Sequence, residues 1–181
     1  RILDVDKEDK KLILSTKDEK ITANKVIVAT HFPILNSHGL YFVRMHGERS
    51  YVLGLDTKNI DIDGMYISAE KPKRSFRTQK LGDRDILLLG GESHRTGEFY
   101  NTEKCYEALK TYGEKLYENM EIIYKWSAQD MTPLDGVPYI GQYSANTENL
   151  YVATGFQKWG MTSSTVAAMI ITDLISTGKS P

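Results

Sequence analysis

The sequence predicts an α+β fold: a mainly antiparallel sheet with one covering helix, joined to a smaller α/β part made of terminal strands and a C-terminal helix. Three observations carry this. Strand patterns follow one another from Tyr41 to Gly91 with turn residues between them, Thr102–Asn119 switches to a helical period, and two buried-type runs, Val26–Thr30 and Leu150–Thr154, stand at opposite ends of the chain.

Ile2–Asp6, Leu12–Thr16 and Lys20–Thr22 are short β-prone stretches separated by charged turns, the pattern of a small antiparallel meander. Val26–Thr30 (VIVAT) is a continuous β-branched run, suited to a strand covered on both faces. YFVRM, SYVLGL, MYIS, SFRTQ and DILLLGG then read as strands, with HGER, DTKNIDIDG, EKPKR and KLGDR as turns. In Thr102–Asn119 the residues Tyr106, Leu109, Tyr112, Leu116 and Tyr117 recur at helical spacing, so this segment is expected to lie on the sheet as one amphipathic helix. EIIYKWS returns to strand, QDMTPLDGVPYIG is expected to turn sharply, Leu150–Thr154 forms a last buried strand, and Met161–Ser176 a final helix closed near Gly178.

With 40% apolar and 26% charged residues and a formal charge of −1, the 181 residues describe a globular chain without a field that would draw nucleic acid or an anionic membrane. A small molecule is the expected partner. Met161–Ile175 is broken by Thr162, Ser163, Ser164, Thr165, Thr172 and Asp173, so no membrane span is expected. The single cysteine, Cys105, allows no disulfide within the chain and fits a cytoplasmic location; on its helix it reads as a small buried hydrophobe. The chain opens directly into strand pattern with no methionine, which reads as a piece of a longer protein.

Both VIVAT and YVAT end where ligands bind in open α/β sheets, and the helix after Gly155 and Gly160 would offer free N–H groups and partial positive charge to an electron-rich group. The plain alternative is an ordinary strand-turn-helix. In GGESHRTGEF, Glu92 and His94 would share a strand face, and a carboxylate beside an imidazole could orient it as a proton acceptor; a packing histidine is the alternative. His31 directly follows VIVAT, His38 and His46 show no partner pattern, and no metal site is argued. Of Tyr41, Phe42, Tyr51, Tyr66 and Phe76, most are expected in the core rather than in a substrate pocket.

ITANKVIVATHFPI resembles the final-strand motif of flavoproteins with a dinucleotide-binding domain, and TPLDGVPYIG with NLYVATGFQKWGMTSSTVAAMIITDLI resembles the C-terminal signature of the D-amino-acid oxidase-like FAD-dependent oxidoreductases. GMYISAEKPKRSFR, LLLGGESHRTGEFY and YKWSAQDMTPLDGVPYIG are similar to the subgroup that carries a Rieske [2Fe-2S] domain after the flavoprotein part. The resemblance implies a partial FAD-binding domain at 1–35, an antiparallel substrate lobe at 36–130 with its helix near 102–119, and a return to the FAD-binding domain at 131–181. It implies that Val28, Ala29 and Thr30 run beneath the FAD, with His31 after them placed for flavin contact, that Asp135, Gly136, Pro138 and Ile140 form the turn beside the flavin, and that Gly155, Phe156, Lys158, Trp159, Gly160, Met161 and Thr162 pass its pyrimidine edge. There the final helix, with Lys158 as a candidate cation, would face the charge that develops when flavin accepts a hydride. The alternative for Lys158 is an ordinary exposed loop lysine.

Amino-acid-oxidising relatives place a carboxylate-gripping arginine four residues after a tryptophan; here Trp126 is followed by Asp130. An α-amino-acid substrate would then need another cation, Arg77 or Arg44, while Asp130 suits a cationic amine or serves structurally in a turn. No G-x-G-x-x-G occurs, and one cysteine cannot supply a Rieske ligand set, so the FAD phosphate site and any [2Fe-2S] cluster are expected outside this chain. The complete protein is expected to be an enzyme oxidising an amine or related small molecule by hydride transfer to FAD, its electron acceptor undefined. The competing reading is a ligand-binding or structural lobe that holds no flavin by itself. The open edges of VIVAT and YVATG would favour self-association of the isolated chain.

Overall fold

A computed structural model describes residues 1–35, 39–57, 60, 62–98 and 101–180. The elements are β1 (Asp4–Glu8), β2 (Lys11–Ser15), β3 (Lys20–Ala23), β4 (Val26–Val28), α1 (Tyr41–Arg44), β5 (Met45–Asp56), β6 (Met65–Ile67), β7 (Ser75–Leu81), β8 (Arg84–Arg95), α2 (Thr102–Leu116), β9 (Glu121–Pro133), β10 (Tyr139–Gln142), β11 (Leu150–Thr154) and α3 (Gly160–Thr177). They fall into two compact units, one of residues Arg1–His46 with Asp130–Pro181 and one of Gly47–Gln129. The α+β class expected from the sequence is the class observed.

In the first unit β1, β2 and β3 form an antiparallel meander, and a second sheet has the order β10-β11-β4. β4 runs parallel to β11, with Val26 opposite Leu150, while β10 runs antiparallel to it. β11 is the spine, because both of its faces are covered. Leu150 and Val152 join Val5, Leu12, Val28 and Met131 in one core, and Tyr151 and Ala153 meet Ala167 and Ile171 of α3 in another. Continuous apolar character is what burial on both faces demands. β4 departs from this expectation: it ends at Val28, two residues early, and Ile27 is 49% exposed on a strand that, among the described residues, pairs with β11 alone.

The second unit is a five-stranded sheet ordered β6-β7-β8-β5-β9, with β6, β7, β8 and β5 paired antiparallel. Tyr51, Leu53, Leu55, Leu87 and Leu89 turn one face of it toward Cys105 and Leu109 of α2. Asn101 caps α2 by accepting the Glu103 amide N–H at 3.1 Å. The helix stops at Leu116, which is exposed, so Cys105, Leu109 and Gly113 carry the buried seam rather than the longer stripe expected. A side chain at Gly113 would stand 2.8 Å from Met120 Sδ, which is why the chain can fold back here.

Three further expectations are corrected. YFVR is a helical turn and not a strand: Tyr41 alone is buried, while Phe42 and Val43 face solvent, so a single anchor per turn replaces alternation. HGER is not a turn but part of β5, which accommodates it with an irregular register between Arg49 and Tyr51. QDMTP continues β9, and the sharp turn comes only at Leu134–Gly136, where the Gly136 N–H bonds the Pro133 carbonyl at 3.1 Å with φ 75°. Of the aromatic residues expected mainly in the core, Tyr41 and Tyr51 are buried, whereas Phe42 and Tyr66 are exposed. Part of the DTKNIDIDG and GEFY segments, and His38, lie outside the described residues.

Two tyrosines tie the first unit together. The Tyr41 hydroxyl donates to the Tyr143 carbonyl at 2.7 Å, the Tyr143 hydroxyl donates to the Leu35 carbonyl at 2.6 Å, and the two rings meet edge to face at 5.0 Å. Burial pushes both phenols above their ordinary value of 10.0. A raised folded pKa favours the protonated form, so this stabilisation is complete below pH 10 and is lost as pH climbs through the folded values. Urea unfolding should therefore show a midpoint that is steady up to about pH 9 and falls above 10. Tyr143→Phe should cost about 1–2 kcal/mol at pH 7 and flatten the alkaline decline; a constant midpoint between pH 9 and 11 in the natural sequence would contradict this.

Candidate functional site

Strand direction brings the implicated segments to one end of the β10-β11-β4 sheet. Because β4 and β11 are parallel, the segments following Val28 and Thr154 leave the same edge, and the antiparallel pairing of Tyr139 with Thr154 puts the 134–138 turn there too. Ala29, Thr30 and His31 follow β4; Thr30 Oγ1 donates to the Phe32 carbonyl at 2.8 Å, and His31 adopts φ 65°. The Thr154 hydroxyl donates to the His31 carbonyl, fastening the two strand ends together. In the turn, Asp135 Oδ1 accepts the Val137 N–H at 3.1 Å, and Pro138 leads into β10.

The loop from Gly155 to Lys158 lies along the last residues of β9 in antiparallel sense. Gly155 packs on Pro133, the Gln157 N–H bonds the Met131 carbonyl at 3.2 Å, and Lys158 Nζ meets Asp130 Oδ2 at 3.0 Å. Gln157 also donates from Nε2 to the Gly136 carbonyl at 3.1 Å, linking loop and turn. Gly155 is required twice over: its φ is 75°, and an added Cβ would stand 2.6 Å from Pro133 Cγ and 3.2 Å from Met45 Sδ. Phe156 turns into the core with Ile140 and Ala167, whereas Trp159 and Met161 are 69% and 90% exposed.

Helix α3 begins at Gly160 with Trp159 at its N-cap, no side-chain cap and no acidic residue in its first turn. Ser163 makes the first helical bond, to the Trp159 carbonyl at 2.9 Å, which leaves the N–H groups of Gly160, Met161 and Thr162 outside the helical ladder. Exposed Gly160, with no atom within 4 Å of a built Cβ, leaves room for a flat group to approach. This donor set fits an electron-rich ring edge, such as the carbonyl edge of a flavin.

Asp130 and Lys158, separately implicated by the sequence, are thus partners. Asp130 meets an ammonium group, and it stands on a strand rather than in a turn. Gln157 went unnoticed in the sequence; its left-handed backbone, φ 54°, has no signature beyond the nearby glycines.

The remaining candidates belong to other places. Glu92 takes φ 53° where β8 gains a residue relative to β5, and its carboxylate is paired with Arg74. His94 Nε2 lies 2.9 Å from the Tyr51 hydroxyl and Nδ1 lies 3.0 Å from the Arg95 carbonyl. A carbonyl only accepts, so Nδ1 carries a proton. Cys105 is buried, as expected, and burial pushes its thiol above the ordinary value. Arg44 is exposed, and its carbonyl accepts the Leu134 N–H at 2.9 Å. Arg77 lines an open depression of about 440 Å³ on the sheet face opposite α2, with Met65, Tyr66, Ile67, Phe76 and Trp126 among its walls. Among the described residues Arg77 has no ion-pair partner, no carboxylate lines the depression, no group of acidic, His and Cys residues could hold a metal, and no helix is long and apolar enough to cross a membrane.

Known proteins share this fold. A candidate Rieske 2Fe-2S iron-sulfur protein of Bacillus subtilis (strain 168), YhfW, is 37% identical over 179 residues, covering 99% of this chain and 35% of that protein. Glycine oxidase from Geobacillus kaustophilus shares the fold with a TM-score of 0.76 at 16% identity, over 99% of this chain and 49% of its own. L-proline dehydrogenase from P. horikoshii gives 0.75 at 16% identity, over 99% and 50%, and FAD-bound L-alpha-glycerophosphate oxidase from Mycoplasma pneumoniae gives 0.69 at 14%, over 96% and 49%. The chain therefore spans about a third of the curated relative and about half of these solved structures. The family model described as FAD dependent oxidoreductase matches residues 1–174, and with the D-amino-acid oxidase-like motifs set on one fold, the chain belongs to that family.

Proposed function

We propose that the complete protein oxidises a C–N bond of an amine or related small molecule by hydride transfer to FAD. One observation carries the reading: in a chain of this family, the three implicated segments converge at the carboxyl ends of β4 and β11, beside an uncapped helix N-terminus. Ala29, Thr30 and His31, the 135–138 turn and the 155–162 segment would hold the flavin, which supplies the hydride acceptor. The free N–H groups of α3 offer partial positive charge where negative charge gathers during transfer. Gln157 and Asp130 fix the loop that leads into this helix.

Substrate recognition is assigned to the depression around Arg77. Its apolar walls, single guanidinium and lack of carboxylates among the described residues suit an apolar amine that also carries an anionic group. Asp130, already matched by Lys158, is correspondingly released from the role of receiving a cationic substrate. The name of the Bacillus relative supports an outlet for electrons through a Rieske [2Fe-2S] cluster outside these 181 residues.

The full-length protein mixed with FAD should show an oxidised-flavin spectrum that bleaches anaerobically with an apolar amino acid or N-substituted amino acid. A colourless protein that retains no FAD would refute the reading. Arg77→Met should raise KM for such substrates about 10- to 100-fold with a smaller effect on kcat; an unchanged KM removes Arg77 from the site. Gly155→Ala should lower stability by about 2–4 kcal/mol, from left-handed strain and overpacking against Pro133, and should weaken FAD retention in the full-length protein. Unaltered thermal unfolding would show that the loop is not held as described.

A further inference from the structure

Resting on the flavin site proposed above, we propose that Asp130 is a positioning residue that holds the Lys158 ammonium on the end of β9 and so withholds a full positive charge from the flavin edge. Lys158 is the one cation within the 155–162 segment, directly before the α3 N-terminus. Left to itself it would bring a unit charge to the place where α3 offers partial charges. The loop does not leave it to itself: Gly155 on Pro133, Gln157 on Met131 and Lys158 on Asp130 form successive contacts of one antiparallel register. The third of these sets the side chain's direction, since the ammonium lies 3.0 Å from Oδ2.

Stability does not account for the pair. Lys158 is 47% exposed and Asp130 25%, and an ion pair this open contributes little to folding. Its effect on a neighbouring redox group is of another kind, because a unit charge acts over several ångströms wherever water is partly excluded. The carboxylate stands where amino-acid-oxidising relatives are expected to carry a substrate-binding arginine, so exchanging arginine for Asp130 both removes a substrate contact and restrains a loop cation. The flavin edge is then served by backbone N–H groups, with the lysine held back.

The test is the midpoint potential of the bound flavin in the full-length holoprotein, measured by equilibration with a reference dye. Asp130→Asn should move it to a more positive value, changing the ratio of reduced to oxidised flavin at fixed dye potential on the order of tenfold. In a Lys158→Met background the same substitution should produce no such shift, because the carboxylate acts through the lysine. Asp130→Glu, which keeps the tether, should stay near the natural potential, and Asp130→Ser gives the same readout as Asn if the latter does not fold. Equal shifts in both backgrounds would show a direct field from Asp130 and overturn the inference, as would an unchanged potential in Asp130→Asn. Loss of flavin from the natural holoprotein would instead overturn the cofactor site itself.

Discussion

The contact of Gly155 with Pro133 is the constraint on which the candidate site depends. A β-strand delivers its chain end to a sheet edge, but it does not say where the following loop will go. Here the backbone can pass directly over a proline ring because residue 155 has no Cβ and tolerates a left-handed conformation. That close approach lays the loop in register with Asp130–Pro133, and the register in turn fixes Gln157 against the 134–137 turn and Lys158 against Asp130. The start of α3 inherits its place from this loop, so its orphan N–H groups face outward as a consequence of packing several residues upstream.

The two units differ in their electrostatics. In the first, Lys158 is paired with Asp130, and the start of α3 presents backbone donors whose orientation is fixed by the helix. In the second, one face of the sheet is sealed by α2 and the other is left apolar and open, with one guanidinium among its walls. A site for a neutral ring edge and a site for an anion-bearing molecule need these two different treatments.

Much of the architecture was legible because burial wrote it into periodicity. β11, α3 and the helix near 102 were visible as an unbroken apolar run, an Ala/Met/Ile-rich stretch before Gly178 and a 3.6-residue stripe. What escaped was decided by tertiary partners. YFVR reads as strand until Tyr143 and Tyr139 claim Tyr41 as the single anchor of a helical turn. The added residue in β8 at Glu92, and the pairing of its carboxylate with Arg74, leave no mark on the strand pattern. The pairing of Asp130 with Lys158 had no signal at all, since a register between a loop and a strand end leaves no periodic trace. The glycines of the loop were visible, but only the structure shows which of them meets a neighbour.

The path of the chain carries a consequence for how the molecule comes to exist. The second unit is one continuous stretch, Gly47–Gln129, set inside a first unit made of two separated pieces. β4 must wait for β11, so the parallel pair that places the candidate cofactor loops closes only when the last strand has been made. The inserted sheet and its helix come from one continuous stretch of chain and are expected to condense earlier. During synthesis the inserted stretch would thus be ready before β4 and β11 can pair.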